Sequence, residues 1–341
     1  MGCTSGNQTF TPEIAASQPE SSARQEVLLQ LADRLEMAYL FPEWGAAYAA
    51  HLRNRRVSAA EGVLPAEDFA TLITDELLAI HPDGHLRLEV MAGEMEHREP
   101  SGPPPPPPPS NFTTHHADGV SYMRIDAMFG LDETMTQLEN FVAAVAPTDT
   151  VILDLRENRG GGLREMDFLF AEMFAEPTDL VIMEIRQVIW EQDGAPFGAP
   201  ATLQRIDAPD GLVHNMHRAI PTDSPQLSAN PVVILTSSTT GSAAEHLTMA
   251  LQRTGRAMVI GEPSRGAAHF GGMLPVGGGF AAFIPAGRTF NPDTGESWEG
   301  TGNQPDIATD ATTALELALS RAGLDEAQAR AFAASIAQPA G

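Results

Sequence analysis

A serine at the predicted junction of a strand and a helix is the first candidate for chemistry in this sequence. The apolar run at residues 232–235 predicts a buried strand, and the spacing from Ala243 to the candidate C-cap Gly255 predicts a helix. Ser242 lies at the start of that helix, where backbone N–H groups can stabilise a developing oxyanion. Serine is also a common N-cap residue. The stretch alone therefore allows a nucleophile or an ordinary cap.

A serine nucleophile needs a base within hydrogen-bond reach. The chain contains no lysine, which excludes a Ser–Lys dyad, a Schiff base and a P-loop phosphate clamp, so the base must come from the ten histidines. His85 is placed at a turn-to-strand junction from which an imidazole can project. His246 follows Ser242 by one helical turn, where we expect it to pack on the surface. His269, in a glycine-rich loop, is a lesser candidate.

The remaining candidates are weaker. His81 cannot form a helical metal pair with His85, because Pro82 and Gly84 interrupt any helix between them. The adjacent histidines at residues 115–116 are expected in a solvated loop. The serines at residues 237–238 compete as nucleophiles, but they precede the helix by several residues. No metal site and no cofactor are predicted.

Composition limits the class of protein. A chain of 341 residues with 43% hydrophobic residues suits one large or two modest domains with a sizeable core. The formal charge of −25 argues against nucleic acid or an anionic membrane as a partner. No apolar stretch reaches membrane-spanning length. The single cysteine, Cys3, excludes an internal disulfide framework and a cysteine-rich metal site.

The N-terminal residues suggest a location. Cys3 follows Met1 and Gly2 and precedes a polar run, which resembles a bacterial lipoprotein whose signal peptide is replaced by Met. In that interpretation Cys3 carries a lipid anchor, and the protein is exported, periplasmic or membrane-tethered; the alternative is an ordinary N-terminus that happens to contain cysteine. The myristoylation pattern requires Ser or Thr where this chain has Gly6.

Four regions are predicted along the chain. Proline and polar residues at the beginning predict a flexible tether, and helical spacing with apolar faces predicts a small helical domain after it. The unbroken proline run at 103–109 predicts a stiff exposed segment, which we interpret as a tolerated loop expansion rather than a docking site for a proline-binding partner. The predicted regions are a tether at 1–22, a helical N-terminal domain at 23–100 ending in the Asp-Gly-His strand, a linker at 101–118 and a core at 119–341.

Alternation of strands and helices predicts an α/β core with substantially parallel pairing. Glycines crowd residues 266–287, as expected for tight turns between short strands. The predicted helices are 24–39, 42–51, 65–80, 131–145, a segment ending near 174, a segment starting at 243, 311–322 and 326–337. The predicted strands are 86–90, 120–125, 151–155, 180–190, 232–235 and 257–260.

Four motifs in a fixed order resemble those of a known family. They are DLRENRGG at 154–161, GSAAE at 241–245, GEPSRG at 261–266 and EGTGNQPDI at 299–307. Each alone is weak evidence, but together they resemble the serine peptidases of the tricorn-core and C-terminal-processing family over about residues 25–310. The helical N-terminus followed by DGHLRLEV resembles the branch that contains interphotoreceptor retinoid-binding protein repeats.

The resemblance implies a crotonase-like or Clp-protease-like α/β core with a helical N-terminal domain and no PDZ domain between His85 and Val120. It places the nucleophile at Ser242. Processing-type members have a catalytic lysine in the segment that here contains Ala267, Ala268 and His269, so that dyad is impossible.

Tricorn-type members instead use a histidine that matches His85 and a glutamate that matches Glu299. Their serine before the histidine corresponds here to Gly84, so that fourth group is missing or replaced. The family's oxyanion hole maps onto the N–H of Ala243 together with Gly160 or Gly161.

Structural explanations remain beside these roles. The glycines at 160–162 could form a plain strand-to-helix turn, and Glu299 could be a solvated loop carboxylate. For Asp154 and Arg156 we favour a buried salt bridge. The predicted function is a serine endopeptidase or processing-type peptidase acting on peptides or proteins. The alternatives are a non-catalytic module that binds a hydrophobic ligand or peptide on the same fold, and a lipid-tethered scaffold that presents the proline run.

Overall fold

The computed structural model describes residues 17–91, 112–194 and 200–336. Cys3 and the proline run at 103–109 lie outside these residues, so the predictions for them stay predictions. The described residues form two compact units. Unit 1 contains residues 17–82, 86–91 and 272–284, and unit 2 contains the rest.

Unit 1 is mainly helical, as predicted. Its helices bury the apolar positions that recur at helical spacing, for example Leu28, Leu31 and Leu35. Gly45 permits close packing of the first two helices, because a Cβ there would lie 2.6 Å from the carbonyl oxygen of Leu35. The elements are α1 (Ser17–Ala38), α2 (Pro42–Asn54), α3 (Ala59–Gly62), α4 (Ala66–Ile80) and β1 (Arg87–Val90), which pairs antiparallel with residues 280–283.

Unit 2 contains the predicted parallel sheet. Five strands run parallel and β2 runs antiparallel at one edge, in the order β12-β9-β8-β4-β3-β2. The strands are β2 (Phe112–Ala117), β3 (Val120–Ile125), β4 (Thr150–Asp154), β8 (Val232–Thr236), β9 (Met258–Gly261) and β12 (Ile307–Ala308).

Helices cover both faces of this sheet, which explains why its central strands are apolar throughout. Successive residues of a strand point to opposite faces. Leu153 and Ile234 pack into a core with α5 (Asp132–Ala144), α6 (Arg164–Met173) and α8 (Ala243–Arg253). Their neighbours Ile152 and Leu235 pack into a second core with α9 (Ala311–Arg321) and α10 (Glu326–Ile336). The mixed α/β architecture is therefore the one that the sequence predicted.

A second, antiparallel set of strands in unit 2 was largely missed. It is formed by β5 (Thr178–Arg186), β6 (Leu203–Ile206), β7 (Leu212–Ala219) and the last part of β11 (Phe280–Phe290). The predicted strand at 180–190 ends at Arg186, where the chain enters α7 (Gln187–Asp193). The strand β10 (His269–Gly277) pairs with β11.

Four parts of the predicted division into regions differ from the structure. Helix α1 begins at Ser17, inside the tether predicted to end at 22, and β2 lies inside the predicted linker at 101–118. The histidines at 115–116 are accordingly in a strand and not in a loop. The Asp-Gly-His turn at 83–85 belongs to unit 2, and residues 272–284 belong to unit 1. The assignment of residues 83–85 and 272–284 depends on contacts between residues far apart in the chain, which local sequence patterns do not show. No helix of the described ranges has the length and apolar character to cross a bilayer.

Candidate active site

Ser242 occupies the start of α8 with an unusual backbone. Its φ is 53° and its ψ is −119°, and among the described residues only Asp118 shares a positive φ without being glycine. An ordinary N-cap residue has extended dihedral angles. A side chain in this region costs of order 1–3 kcal/mol and persists only where the surroundings impose it. The turn at Ser242 is therefore held in place by its neighbours.

Glu245 is one of those neighbours. Its side chain is fully buried, and one carboxylate oxygen accepts hydrogen bonds from Ser242 N at 2.9 Å and Ala267 N at 2.7 Å. The other oxygen accepts from Ser264 Oγ at 2.6 Å and Gly266 N at 2.7 Å. Burial raises the pKa of Glu245, although these donors act in the opposite direction. The carboxylate thus fastens the Ser242 turn to residues 264–267.

The glycine motif after β4 lies against Ser242. A Cβ at Gly160 would approach Ser242 Cβ to 2.6 Å and Ala243 N to 3.0 Å, so only glycine permits this contact. The Gly160 N–H donates to Asn158 Oδ1 at 2.7 Å. Gly161 forms a parallel bridge with Met128.

That bridge uses the Gly160 carbonyl and the Gly162 N–H, which leaves the Gly161 N–H out of it. Gly161 and Ala243 both line the pocket that contains Ser242. Of the two glycines considered for an oxyanion hole, Gly160 has its N–H committed to Asn158, and Gly161 is the better placed.

Two imidazole–carboxylate pairs lie together in unit 2. His85 Nδ1 is 3.6 Å from Glu299 Oε1, and His269 Nδ1 is 3.0 Å from Asp83 Oδ2. The two rings are 6.4 Å apart between centroids. Asp83 also accepts a hydrogen bond from the backbone N–H of His85 at 2.9 Å, which fixes the Asp-Gly-His turn. In each pair Nδ1 faces a carboxylate, so Nε2 is the nitrogen left for proton transfer.

Glu299 is half-buried and is not a solvated loop carboxylate. Its Oε2 accepts from Ala268 N at 2.7 Å and His269 N at 2.9 Å. Burial alone would raise the pKa of Glu299, but the neighbouring His85 ring, together with the charge and backbone N–H of His269, lowers it overall. The carboxylate is therefore ionised at neutral pH and suited to orienting an imidazole.

Gly84 occupies the position before His85 at which the family resemblance implies a serine. A Cβ at Gly84 would lie 3.7 Å from Glu299 Oε1, which is ordinary van der Waals contact. The carboxylate thus occupies the side that a serine side chain would face, and it contacts His85 without an intervening hydroxyl. Ligand atoms of Asp83, His85 and Glu299 also lie within 4.8 Å of one another, close enough to share a divalent cation.

A small pocket of about 30 Å³ lies beside Ser242. Its wall contains His269 but, within the part of the chain that the structure describes, not His85. From the sequence, His269 is only a lesser candidate, and Asp83 was overlooked although it belongs to the Asp-Gly-His motif. The residues that line the pocket are Gly161, Leu163, Met183, Ser242, Ala243, His246, Ala267, Ala268, His269, Phe270, Thr289 and Trp298.

The structure also tests the predictions for His246 and for the pair Asp154 and Arg156. The surface position expected for His246 is wrong: its side chain is 3% exposed, because His217 of β7 packs against it. The salt bridge favoured for Asp154 and Arg156 is confirmed, with contacts of 2.8 and 2.6 Å and a third hydrogen bond from Tyr122 Oη at 2.7 Å. These last three residues hold the end of β4 in place.

Comparison with known proteins identifies the family. The model of Peptidase family S41 matches residues 119–309, and the chain belongs to that family. Membership supports a peptidase function, that is, hydrolysis of peptide or protein substrates.

Solved structures agree on the fold. A photosystem II D1 C-terminal processing protease is 17% identical with a TM-score of 0.56, and the match covers 90% of this chain and 99% of that one. A lipoprotein from Streptococcus agalactiae is 16% identical with a TM-score of 0.54, covering 92% and 98%. At these identities the likeness concerns the fold alone.

Proposed function

We propose that the chain is a serine peptidase in which Ser242 is the nucleophile. The observation that carries this proposal is the strained backbone of Ser242 at the N-terminus of α8, packed against Gly160. An N-cap serine needs no such strain. A nucleophile gains from it, since the turn presents Oγ beside backbone N–H groups at a helix start.

In the proposed reaction, Ser242 Oγ forms a bond to the scissile carbonyl carbon while His85 Nε2 accepts the hydroxyl proton. Glu299 orients His85 through Nδ1 and stabilises the imidazolium. The N–H groups of Gly161 and Ala243 donate to the carbonyl oxygen as it becomes negative. The C–N bond then breaks, and His85 returns the proton to the leaving amine. Water hydrolyses the acyl-enzyme by the same proton transfers in reverse order.

The second pair, His269 with Asp83, supports this centre in the proposal. His269 donates its backbone N–H to Glu299 and holds its ring beside the same carboxylate, at 3.9 Å. It therefore positions Glu299 and adds positive charge when protonated. Because His269 also lines the pocket with Ser242, it is the rival candidate for the base.

Matched substitutions of the two pairs test the assignment. We expect His85→Ala to lower kcat/KM for an unstructured protein such as casein by about 10²–10⁴-fold, the usual contribution of a general base. His269→Ala should lower kcat/KM by a smaller factor than His85→Ala does. Likewise, Glu299→Gln should lower kcat/KM by a larger factor than Asp83→Asn does. The reverse order of the two histidines would make His269 the base and would overturn the role of His85. Peptide binding without any hydrolysis by the wild type would favour the alternative of a binding module.

A further inference from the structure

A buried polar chain lies outside the proposed catalytic residues. Asp167 of α6, His217 of β7 and His246 of α8 follow one another through hydrogen bonds. Asp167 Oδ1 is 2.6 Å from His217 Nε2, and His217 Nδ1 is 2.8 Å from His246 Nε2. The two imidazoles are 0% and 3% exposed. Nothing in the proposed mechanism uses these three residues, so another reason for burying them is needed.

The hydrogen bonds determine which ring nitrogens carry protons. A neutral imidazole has one N–H donor and one acceptor nitrogen. In a neutral His217 whose Nε2–H donates to the Asp167 carboxylate, Nδ1 is an acceptor. His246 Nε2 is then the donor to it, and His246 Nδ1 is left with a lone pair. Burial holds the pKa of His246 well below its usual value, in keeping with a neutral His246 ring.

His246 lies directly beside the proposed nucleophile. It follows Ser242 by one helical turn, and side chains on a helix lean towards the N-terminus. Its ring lines the pocket that Ser242, Gly161 and Ala243 also line. Much of the remaining wall is apolar, with Leu163, Met183 and Phe270 among its members. His246 therefore adds a polar group to a side of the pocket that these apolar residues share.

We propose that His246 Nδ1 selects the acyl residue of the substrate, the residue that supplies the scissile carbonyl. This inference rests on the proposed function, since it takes the pocket next to Ser242 as the one that the acyl side chain enters. An acceptor nitrogen beside Leu163, Met183 and Phe270 favours an uncharged side chain that donates a hydrogen bond, such as Thr, Ser or Asn. Asp167 and His217 are positioning residues that keep the proton on the far side of the His246 ring.

The experiment compares Thr with Val at the acyl position, because the two side chains have the same shape and differ in a hydroxyl. A peptide library is first digested by the wild type, and mass spectrometry identifies a peptide sequence that is cleaved. Two versions of that peptide are then made, with Thr or with Val at the acyl position. We expect kcat/KM to favour Thr by about five- to tenfold, the contribution of one hydrogen bond. His246→Leu should remove or reverse the ratio. His214→Leu, a substitution in β7 outside the pocket, should keep it.

A second measurement separates the inference from the proposed function. The Ser242→Ala variant should bind the uncleaved Thr peptide more tightly than the Val peptide by the same ratio, and ¹⁵N NMR of its histidines should show His246 Nδ1 without a proton. His217→Leu should reduce the binding ratio. A wild type that cleaves both peptides equally overturns the selection by His246 but leaves the peptidase standing. If the wild type cleaves no peptide but the Ser242→Ala variant still binds the Thr peptide more tightly, the proposed peptidase function is wrong and the proposed selectivity of His246 is supported.

Discussion

The sequence Ser-Ala-Ala-Glu occurs twice in this chain and gives two different structures. In unit 1, residues 58–61 start α3, and in unit 2, residues 242–245 start α8. Ser58 has φ −73° and ψ 163°, while Ser242 has φ 53° and ψ −119°. Identical local sequence therefore does not decide the backbone at these two helix starts.

The surroundings of the two segments explain the difference. Ser58 and Glu61 form a reciprocal capping box, with Glu61 N donating to Ser58 Oγ at 3.2 Å and Ser58 N donating to Glu61 at 2.7 Å. In the other copy Glu245 accepts from Ser242 N and from three donors at residues 264–267. Both segments share the capping-box bond from the serine N–H to the glutamate, but only Glu245 also accepts from Ser264, Gly266 and Ala267, and only its serine has a positive φ.

Removing each serine should give the largest contrast. Ser242→Ala removes the proposed nucleophile, so we expect kcat/KM for peptide hydrolysis to fall by roughly 10⁴-fold or more. Ser58→Ala removes only a cap and should leave kcat/KM within about twofold, while the free energy of unfolding falls by about 1 kcal/mol. Peptide hydrolysis and urea unfolding of both variants measure the two effects. Comparable activity loss in the two variants would contradict the distinction between them.

The two glutamates should differ in stability. In Glu245→Gln the amide nitrogen of the new side chain would face two donors, so we expect the free energy of unfolding to fall by about 2 kcal/mol or more. Glu61 is only partly buried, and Glu61→Gln should cost less than about 0.5 kcal/mol. Denaturant titration of both variants gives the comparison. Equal costs would mean that Glu245 does not hold the Ser242 turn.

The glycine against Ser242 offers a third contrast. The methyl group added by Gly160→Ala would displace Ser242 and Ala243, and a shift of about 1 Å at a reacting group costs about 10²-fold in rate. In Gly162→Ala the new Cβ would meet only Met128 O at 3.7 Å, without a positive φ, so kcat/KM should stay near the wild-type value. Steady-state kinetics of the folded variants measure both. A fully active Gly160→Ala enzyme would show that the contact is unimportant for turnover.

The pH dependence of stability should have opposite signs at the two glutamates. The hydrogen bond from the Ser58 backbone lowers the pKa of Glu61 below 4.5, so its stabilising contribution is present above pH 4.5 and is lost as pH falls through the folded-state pKa. Burial raises the pKa of Glu245 above 4.5, so its contribution is complete below pH 4.5 and is lost as pH rises through the folded-state value.

The measurement is urea unfolding of wild type, Glu61→Gln and Glu245→Gln across this range of pH. The difference between wild type and Glu61→Gln should grow as pH rises, and the difference between wild type and Glu245→Gln should shrink. Slopes of the same sign would mean that the two carboxyl groups have similar environments after all.

Much of the fold could be predicted because the parallel sheet is buried on both faces. Such strands are mostly apolar, and the predicted strand at 232–235 matches β8 to within one residue. Strand β7 was missed because polar Asn215 and His217 occupy two of its buried positions, while apolar Leu212 and Met216 occupy two of its outward positions. His217 of this strand buries His246. Because the strand was not predicted, His246 was wrongly expected on the surface.

Candidate site residues could be proposed from the sequence where a local motif suggests a role. Ser242 at a strand-to-helix junction and His85 in the Asp-Gly-His turn are of this kind. The pairing of His269 with Asp83 joins residues far apart in sequence, and the positive φ of Ser242 depends on contacts from Gly160 and Glu245. The repeated Ser-Ala-Ala-Glu segment illustrates this: the local sequence predicts a helix start, and tertiary contacts decide whether its serine adopts a positive φ.

Labelling with a fluorophosphonate probe tests the proposed nucleophile most directly, because the probe reacts covalently with an activated serine and not with a capping one. After reaction and proteolysis, mass spectrometry should place one adduct on Ser242 and none on Ser58, and His85→Ala should abolish it. An unmodified Ser242 in the folded wild type, or equal modification of both serines, would contradict the account.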